Sequence, residues 1–230
     1  MNDEIINELF KREADEVYFV DISNLPKEQT LGFDKAIIFF MVLSKEYITD
    51  KLNSVTLEGV PYEESTDEFL IKEQKAEELA DWLSGYLKQK GYNTHSQSEK
   101  NNSKSGYIES VYIDPNLQQG ISILPQKAIA RIAGLGFIGK NNLLITEEYG
   151  CALCMCSMLT NAPVVTKNRN PVPSKCGTCE ICAKNCPASA LHNKEWTLEG
   201  GRESIFDVSK CCCALKCLVL CPWTQRYASK

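Results

Sequence analysis

The stretch Cys176-Gly-Thr-Cys179-Glu-Ile-Cys182-Ala-Lys-Asn-Cys186-Pro187 carries four thiols with two, two and three residues between them, closed by a proline. This is the ligand run of a bacterial-type [4Fe–4S] ferredoxin. A tight loop lets the first three sulfurs wrap one cubane, while the fourth points away toward a second cluster and the proline helps turn the chain. Four cysteines and a proline rarely fall in this register by chance. An iron–sulfur cluster is therefore favoured over zinc or disulfides.

A second group, Cys211-Cys212-Cys213-Ala-Leu-Lys-Cys217-Leu-Val-Leu-Cys221-Pro222, ends in the same Cys-x-x-x-Cys-Pro. In two-cluster ferredoxins each run lends its last cysteine to the other run's cluster. On that rule Cys176, Cys179, Cys182 and Cys221 hold one cluster. Cys186 and Cys217 hold the other, with two of Cys211, Cys212 and Cys213. The spacing departs from the usual one: Ala214 stands where a ligand is expected. Which two of the triplet bind iron is left open by the sequence.

Composition frames these runs. A chain of 230 residues, 43% hydrophobic and 24% charged, has the make-up of an ordinary globular protein able to bury a substantial core. Its start, Met1 to Phe10, is acidic and amphipathic and does not resemble a signal peptide. The longest apolar stretch, Ala36–Leu43, is too short to span a bilayer, so no membrane association is expected. Twelve cysteines without an export signal point to metal ligation in a reducing interior; the expected location is cytoplasmic. A net charge of −5 argues against a broad nucleic-acid surface.

Cysteine is absent before residue 151 and dense after it, which suggests two domains, 1–165 and 166–230, joined by the proline-bearing segment Asn161–Ser174. Ile5, Ile6, Leu9 and Phe10 have helical spacing. Val17–Val20 and Ala36–Leu43 read as strands, the second buried on both faces. Thr66–Lys90 carries apolar residues at every third or fourth position and reads as a long amphipathic helix ended by Gly91. A strand is expected after Gly91, a helix at Pro125–Ala133, and strands at Asn142–Thr146 and Cys151–Leu159. Strands and helices mix without regular βαβ repeats, which favours the α+β class.

Gly134-Leu-Gly136-Phe-Ile-Gly139-Lys140-Asn141 satisfies G-x-G-x-x-G and nearly satisfies the P-loop pattern. Both patterns need a strand before the loop and a helix after it. Here the order is reversed, and Asn141 replaces the hydroxyl that binds Mg²⁺. Close backbone packing, or approach to some other large cofactor, remains.

Leu124–Gly150, with Leu159-Thr-Asn-Ala-Pro163 and the closing Cys221-Pro-Trp-Thr-Gln-Arg-Tyr227, resembles the core of the epoxyqueuosine reductase family, related to the reductive dehalogenases. The resemblance is strong over residues 120–227 and diffuse before them. It implies a nitroreductase-like mixed-sheet domain, able to hold a base-off cobalamin, followed by a two-cluster ferredoxin-like domain. Gly134, Gly136, Gly139, Lys140 and Asn141 would then contact the cofactor. Electrons from an external donor such as a ferredoxin or flavodoxin would pass through two [4Fe–4S] clusters to a corrinoid or other redox centre, and so to a small-molecule substrate. A non-catalytic electron carrier with a degenerate cofactor domain is the alternative.

Three departures bear on that expectation. The family's proposed acid has no counterpart in Gln119–Pro125, and Asp114, before Pro115, is the nearest candidate. The helical extension by which long members engage tRNA is not matched, which with the acidic balance argues against tRNA. Cys151, Cys154 and Cys156 stand where relatives carry small or polar residues. They read either as buried cysteines packing as small hydrophobes or, with one of the 211–213 triplet, as ligands of a third cluster or zinc. Strand alternation puts Cys154 and Cys156 on one face and Cys151 on the other. His95 and His192 show no ligand spacing, and Trp196 and Trp223 are expected to pack around the clusters.

Overall fold

In the computed structural model, residues 1–53, 66–101, 108–109, 121–122, 124–197 and 200–230 are described, the two short pairs as backbone strands alone. The run Lys35–Val42 (β2) is the spine of the fold. Every residue in it but Lys35 is buried, because both sides of the strand are covered. Ile37, Phe39 and Met41 pack with Ala76, Leu79, Ala80 and Leu83 of the long helix, whereas Ala36, Ile38 and Phe40 pack with Ile129, Ala130 and Ala133. A strand enclosed in this way must read as an unbroken apolar run.

The main sheet has the order β1-β2-β8-β3 and every pairing in it is antiparallel. Its other strands are β1 (Glu16–Asp21), β3 (Thr94–Ser96) and β8 (Leu153–Thr160). The mixed sheet expected from the family resemblance is thus an antiparallel one among the described strands, since β8 enters between β2 and β3 running opposite to both. The pair β4 (Ile108–Glu109) and β5 (Ile121–Ser122) is separate. So is the hairpin β6 (Phe137–Ile138) and β7 (Leu144–Ile145).

One face is covered by α1 (Asn2–Phe10) and α4 (Glu68–Gln89), the other by α5 (Gln126–Ile132); α2 (Lys27–Thr30) lies between β1 and β2, and α3 (Lys45–Asn53) between β2 and α4. A third apolar group joins the end of the sheet to the last turns, α7 (Lys216–Val219) and α8 (Pro222–Ala228), through Leu43, Tyr47, Ile48, Leu218 and Val219. Among the described residues no helix is long and apolar enough to cross a membrane.

Asp67 starts α4: its carboxylate accepts from the backbone N–H of Phe69 at 2.9 Å and Leu70 at 3.4 Å. The same carboxylate meets Lys51 Nζ at 2.6 Å and accepts from the Tyr47 hydroxyl at 2.9 Å. Burial pushes its pKa up, but Lys51 and Tyr47 outweigh burial and hold it below the usual aspartate value. Asp67→Ala should therefore cost about 1–2 kcal/mol of stability at neutral pH, the usual worth of such a cap. Because the folded-state pKa is depressed, that contribution is present above the ordinary aspartate value of about 3.9 and is lost as pH falls through the folded value. Chemical denaturation of both proteins at pH 7 and in acid checks this: the difference must shrink in acid.

Candidate metal centres and the adjoining cavity

Two cavities lie in the cysteine-rich part. The smaller, about 190 Å³, is lined by Cys176, Cys179, Cys182 and Cys221, with Lys140, Asn141 and Trp223. The larger, about 340 Å³, is lined by Cys186, Cys211, Cys212, Cys213 and Cys217, and continues past them to Phe69, Glu73, Lys127, Arg202 and Phe206. The last cysteine of each run faces the other run's set. Helices α6 (Ile181–Lys184) and α7 carry Cys182 and Cys217. Between Cys211 and Cys217 the chain makes left-handed turns at Cys213 (φ 49°) and Leu215 (φ 55°), which accommodate the extra residue around Ala214.

The glycine loop serves these cavities in a way its pattern does not suggest. A Cβ on Gly136 would stand 2.3 Å from the Ile145 carbonyl oxygen, and one on Gly134 would stand 2.6 Å from Arg169 Cβ and 2.7 Å from the Asn170 oxygen. A Cβ on Gly139 would meet Ile145 Cδ1 at 2.5 Å. These glycines face protein, and no space is left on those sides for a cofactor. Their close packing instead positions the next two residues. Buried Lys140 donates to the carbonyls of Gly177 (2.8 Å) and Cys179 (3.1 Å), clamping the first cysteine loop. Buried Asn141 lines both cavities and donates through Nδ2 to the Cys217 carbonyl at 3.0 Å.

The Cys221 thiol is made more acidic than an ordinary cysteine. Its pKa is lowered to about 7, first by a hydrogen bond from the Cys151 thiol and then, against the effect of burial, by the backbone N–H groups of Trp223 and Thr224 and the Thr224 side chain. Burial pushes Cys182 up to about 11 and Cys217 up to about 12. Cys211 is lowered to about 6 because Cys213 donates to it. Thiols held neutral by burial become thiolates when they bind a metal, which supplies the missing positive charge. The two all-sulfur donor sets, each gathered around one cavity, fit iron–sulfur clusters.

A corrinoid fits less well. The larger cavity exceeds the four-cysteine one by about 150 Å³ (340 against 190). Even the whole lies near the lower bound of roughly 300 Å³ for sites taking drug-sized ligands, and a corrin macrocycle is larger than those. The part of this cleft walled by the described residues is smaller than a corrin, and the cleft opens to solvent at the exposed Cys211, Cys212 and Cys213.

Cys151, Cys154 and Cys156 are not brought together. Cys151 packs against α7 and α8, Cys154 against the Phe69 carbonyl at 3.5 Å, and Cys156 in the core under α4. Among the described residues no three Cys, His, Asp or Glu side chains are placed to hold a single metal ion. The weak candidate acid Asp114 lies outside the described residues. Trp223 lines the smaller cavity, whereas Trp196 lies beneath the Arg131 guanidinium at 4.8 Å. His95 sits in β3 and His192 contacts the Ser204 carbonyl, neither lining a cavity.

Sequence inspection missed Lys127. It stands in the first turn of α5, donates to the Asn142 carbonyl at 2.6 Å, and lines the larger cavity. Burial and the nearby Arg202 lower its pKa to about 8. As a single lysine in a helical pattern it gave no local signal.

No protein-family model matches the chain. Solved structures share its fold. A catabolic reductive dehalogenase superposes with a TM-score of 0.64 at 17% identity, covering 94% of this chain and 32% of that one. An epoxyqueuosine reductase solved with an epoxyqueuosine-modified tRNA-Tyr stem loop gives 0.58 at 17% identity, covering 97% and 65%. The fold is thus the α+β architecture common to reductive dehalogenases and epoxyqueuosine reductases. Curated sequences narrow this. The epoxyqueuosine reductase of Synechocystis sp. is 34% identical over 124 residues, 46% of this chain and 41% of that protein. The one of Lactococcus garvieae is 42% identical over 64 residues, 28% and 18% of the two chains. The chain is epoxyqueuosine reductase-like, and the matched part spans less than half the length of these curated relatives.

Proposed function

We propose that the chain is an iron–sulfur oxidoreductase in which two [4Fe–4S] clusters, one on each cysteine set, carry electrons to a small reducible substrate in the larger cavity. In this reading residues 166–230 form the ferredoxin-like part and residues 1–165 the nitroreductase-like part. The observation that carries it is the larger cavity, in which five cysteines, three of them exposed, share one partly open cleft with non-cysteine walls. That space is where a substrate can meet a cluster directly. An external ferredoxin or flavodoxin would load the four-cysteine set first. Lys127 lines the same space and holds a proton near neutral pH, the property that a proton donor to the reduced product needs. The net charge of −5 favours a small molecule over tRNA, and ligating cysteines suit the reducing cytoplasm.

One structural neighbour is described as suggesting a mechanism for B12-dependent dehalogenation. The fit of the cavity leads us to place the chemistry at the cluster here. Anaerobic reconstitution followed by iron and acid-labile sulfide analysis should give about eight of each per chain, and added cobalamin should leave its absorption spectrum unchanged. About four irons, or conversion of cobalamin to its base-off spectrum, would sink the respective half of the proposal.

A further inference from the structure

The two cavities differ in how their cations are used. On the smaller one, Lys140 donates to two carbonyls and Lys175 pairs with Glu147 at 3.1 Å. Three cations line the larger cleft: Lys127, Arg202 and the buried Lys216. Among the described residues no ion pair includes Lys127 or Lys216. Arg202 Nε stands 3.7 Å from Glu203, a partly exposed and therefore weak pair. The two carboxylates on the same cleft do not answer these charges. Asp67 is engaged by Lys51 and the start of α4, and Glu73 pairs with no cation.

A cluster is itself an anion, and Lys216, next to Cys217 in the chain, is accounted for by that. Lys127 and Arg202 come from segments without cysteine, α5 and the turn at 200–206. They are also neighbours: burial, and then Arg202, lower the Lys127 pKa. Two like charges held close together cost free energy, and an anion seated on both returns it. A guanidinium offers five N–H donors in a fork that meets a carboxylate or phosphate at two points. The cleft is larger than the cavity of the four-cysteine set, so a cubane does not fill it. Phe69 and Phe206 supply apolar wall beside the cations.

We propose that the larger cleft selects a small organic anion, a carboxylate or a phosphate, whose charged group binds Arg202 and Lys127 and whose apolar remainder lies against Phe69 and Phe206. This names the substrate class of the site described above and rests on that reading.

The test is isothermal titration of the anaerobically reconstituted full chain at constant ionic strength. The probes are propionate, its neutral isostere propionamide, and inorganic phosphate. At least one anion should bind saturably, and propionate, if it is that one, more tightly than propionamide by about tenfold or more, the worth of a charged hydrogen bond. Arg202→Gln should weaken the bound anion by a similar factor and Lys127→Gln by several-fold. Lys175→Gln, on the other cavity, should leave it unchanged. Dependence on Arg202 for propionate assigns a carboxylate, and for phosphate alone a phosphate. The proposal is overturned if neither anion binds, if propionamide binds as tightly as propionate, or if Arg202→Gln and Lys127→Gln bind the anion like wild type. Should Arg202→Gln fail to fold, Lys127→Gln decides in the same way. Iron analysis of the same samples keeps the two readings apart. Fewer than about eight irons per wild-type chain would refute the two clusters, whereas full iron without anion binding refutes this proposal alone.

Discussion

Cys221→Ala should halve the iron bound per chain, from about eight atoms to about four, while the cluster on the larger cavity survives. Cys221 is the one cysteine of the second run that lines the smaller cavity. The other three sulfurs there belong to one loop, Cys176 to Cys182, so without Cys221 the cubane would be tied to the chain from one side. Several groups already stabilise a thiolate at this position, namely the Cys151 thiol, the Thr224 side chain and the backbone N–H groups of Trp223 and Thr224. None of them can replace a ligand. The fold should tolerate the change, because Cys221 and alanine are both small and the backbone of α8 begins as before. Iron and acid-labile sulfide per chain, with circular dichroism to confirm helix content, check this. Iron near eight would mean that a different residue completes the cluster.

The elements that were legible in the sequence are those whose burial imposes a period over many residues. β2 showed itself because both of its faces meet helices, and α4 because one of its faces meets the sheet. In the hairpin β6–β7, β7 falls inside the strand expected at Asn142–Thr146, but β6 and the pairing did not show. Each of its strands has two residues, too few for alternation to register, and its glycines imitate a nucleotide loop. The likeness was misleading in a physical sense. In a nucleotide loop a missing Cβ admits a phosphate; at Gly136 it admits the carbonyl of Ile145. Lys140 and Asn141 were legible as special residues but not in their partners. Those partners stand 37 to 76 residues away, and no local pattern encodes a contact of that range. The same holds for Cys151, whose partners Leu218 and Thr224 are 67 and 73 residues distant. The cysteine spacing worked better, since four sulfurs on one short loop is a constraint that the local chain alone must satisfy.

Gly136→Ala should destabilise the protein and loosen both cysteine sets, and Gly85→Ala should act in the opposite direction. At Gly136 the added Cβ would meet the Ile145 carbonyl oxygen at 2.3 Å and its carbon at 2.9 Å. These are backbone atoms of β7, paired to β6 through Phe137↔Ile145 and Ile138↔Leu144. They cannot swing aside as a side chain could, so the hairpin has to open. Overpacking of this kind costs about 1–3 kcal/mol, which for a chain of this size lowers the unfolding temperature by roughly 2–4 °C per kcal/mol. The functional loss should exceed the thermal one. Opening the hairpin displaces Lys140 from the Gly177 and Cys179 carbonyls and Asn141 from the Cys217 carbonyl, so both cysteine sets lose their common support. Gly85 lies within α4 with nothing within 4 Å of an added Cβ. Alanine there gains helix propensity, worth up to about 1 kcal/mol, and touches no cysteine. Thermal unfolding and iron retention measured on both proteins would separate the two effects. Gly136→Ala should melt lower and shed iron from both clusters, and Gly85→Ala should melt higher with its iron intact. A Gly136→Ala protein with full iron would show that the hairpin does not position the cysteine loops.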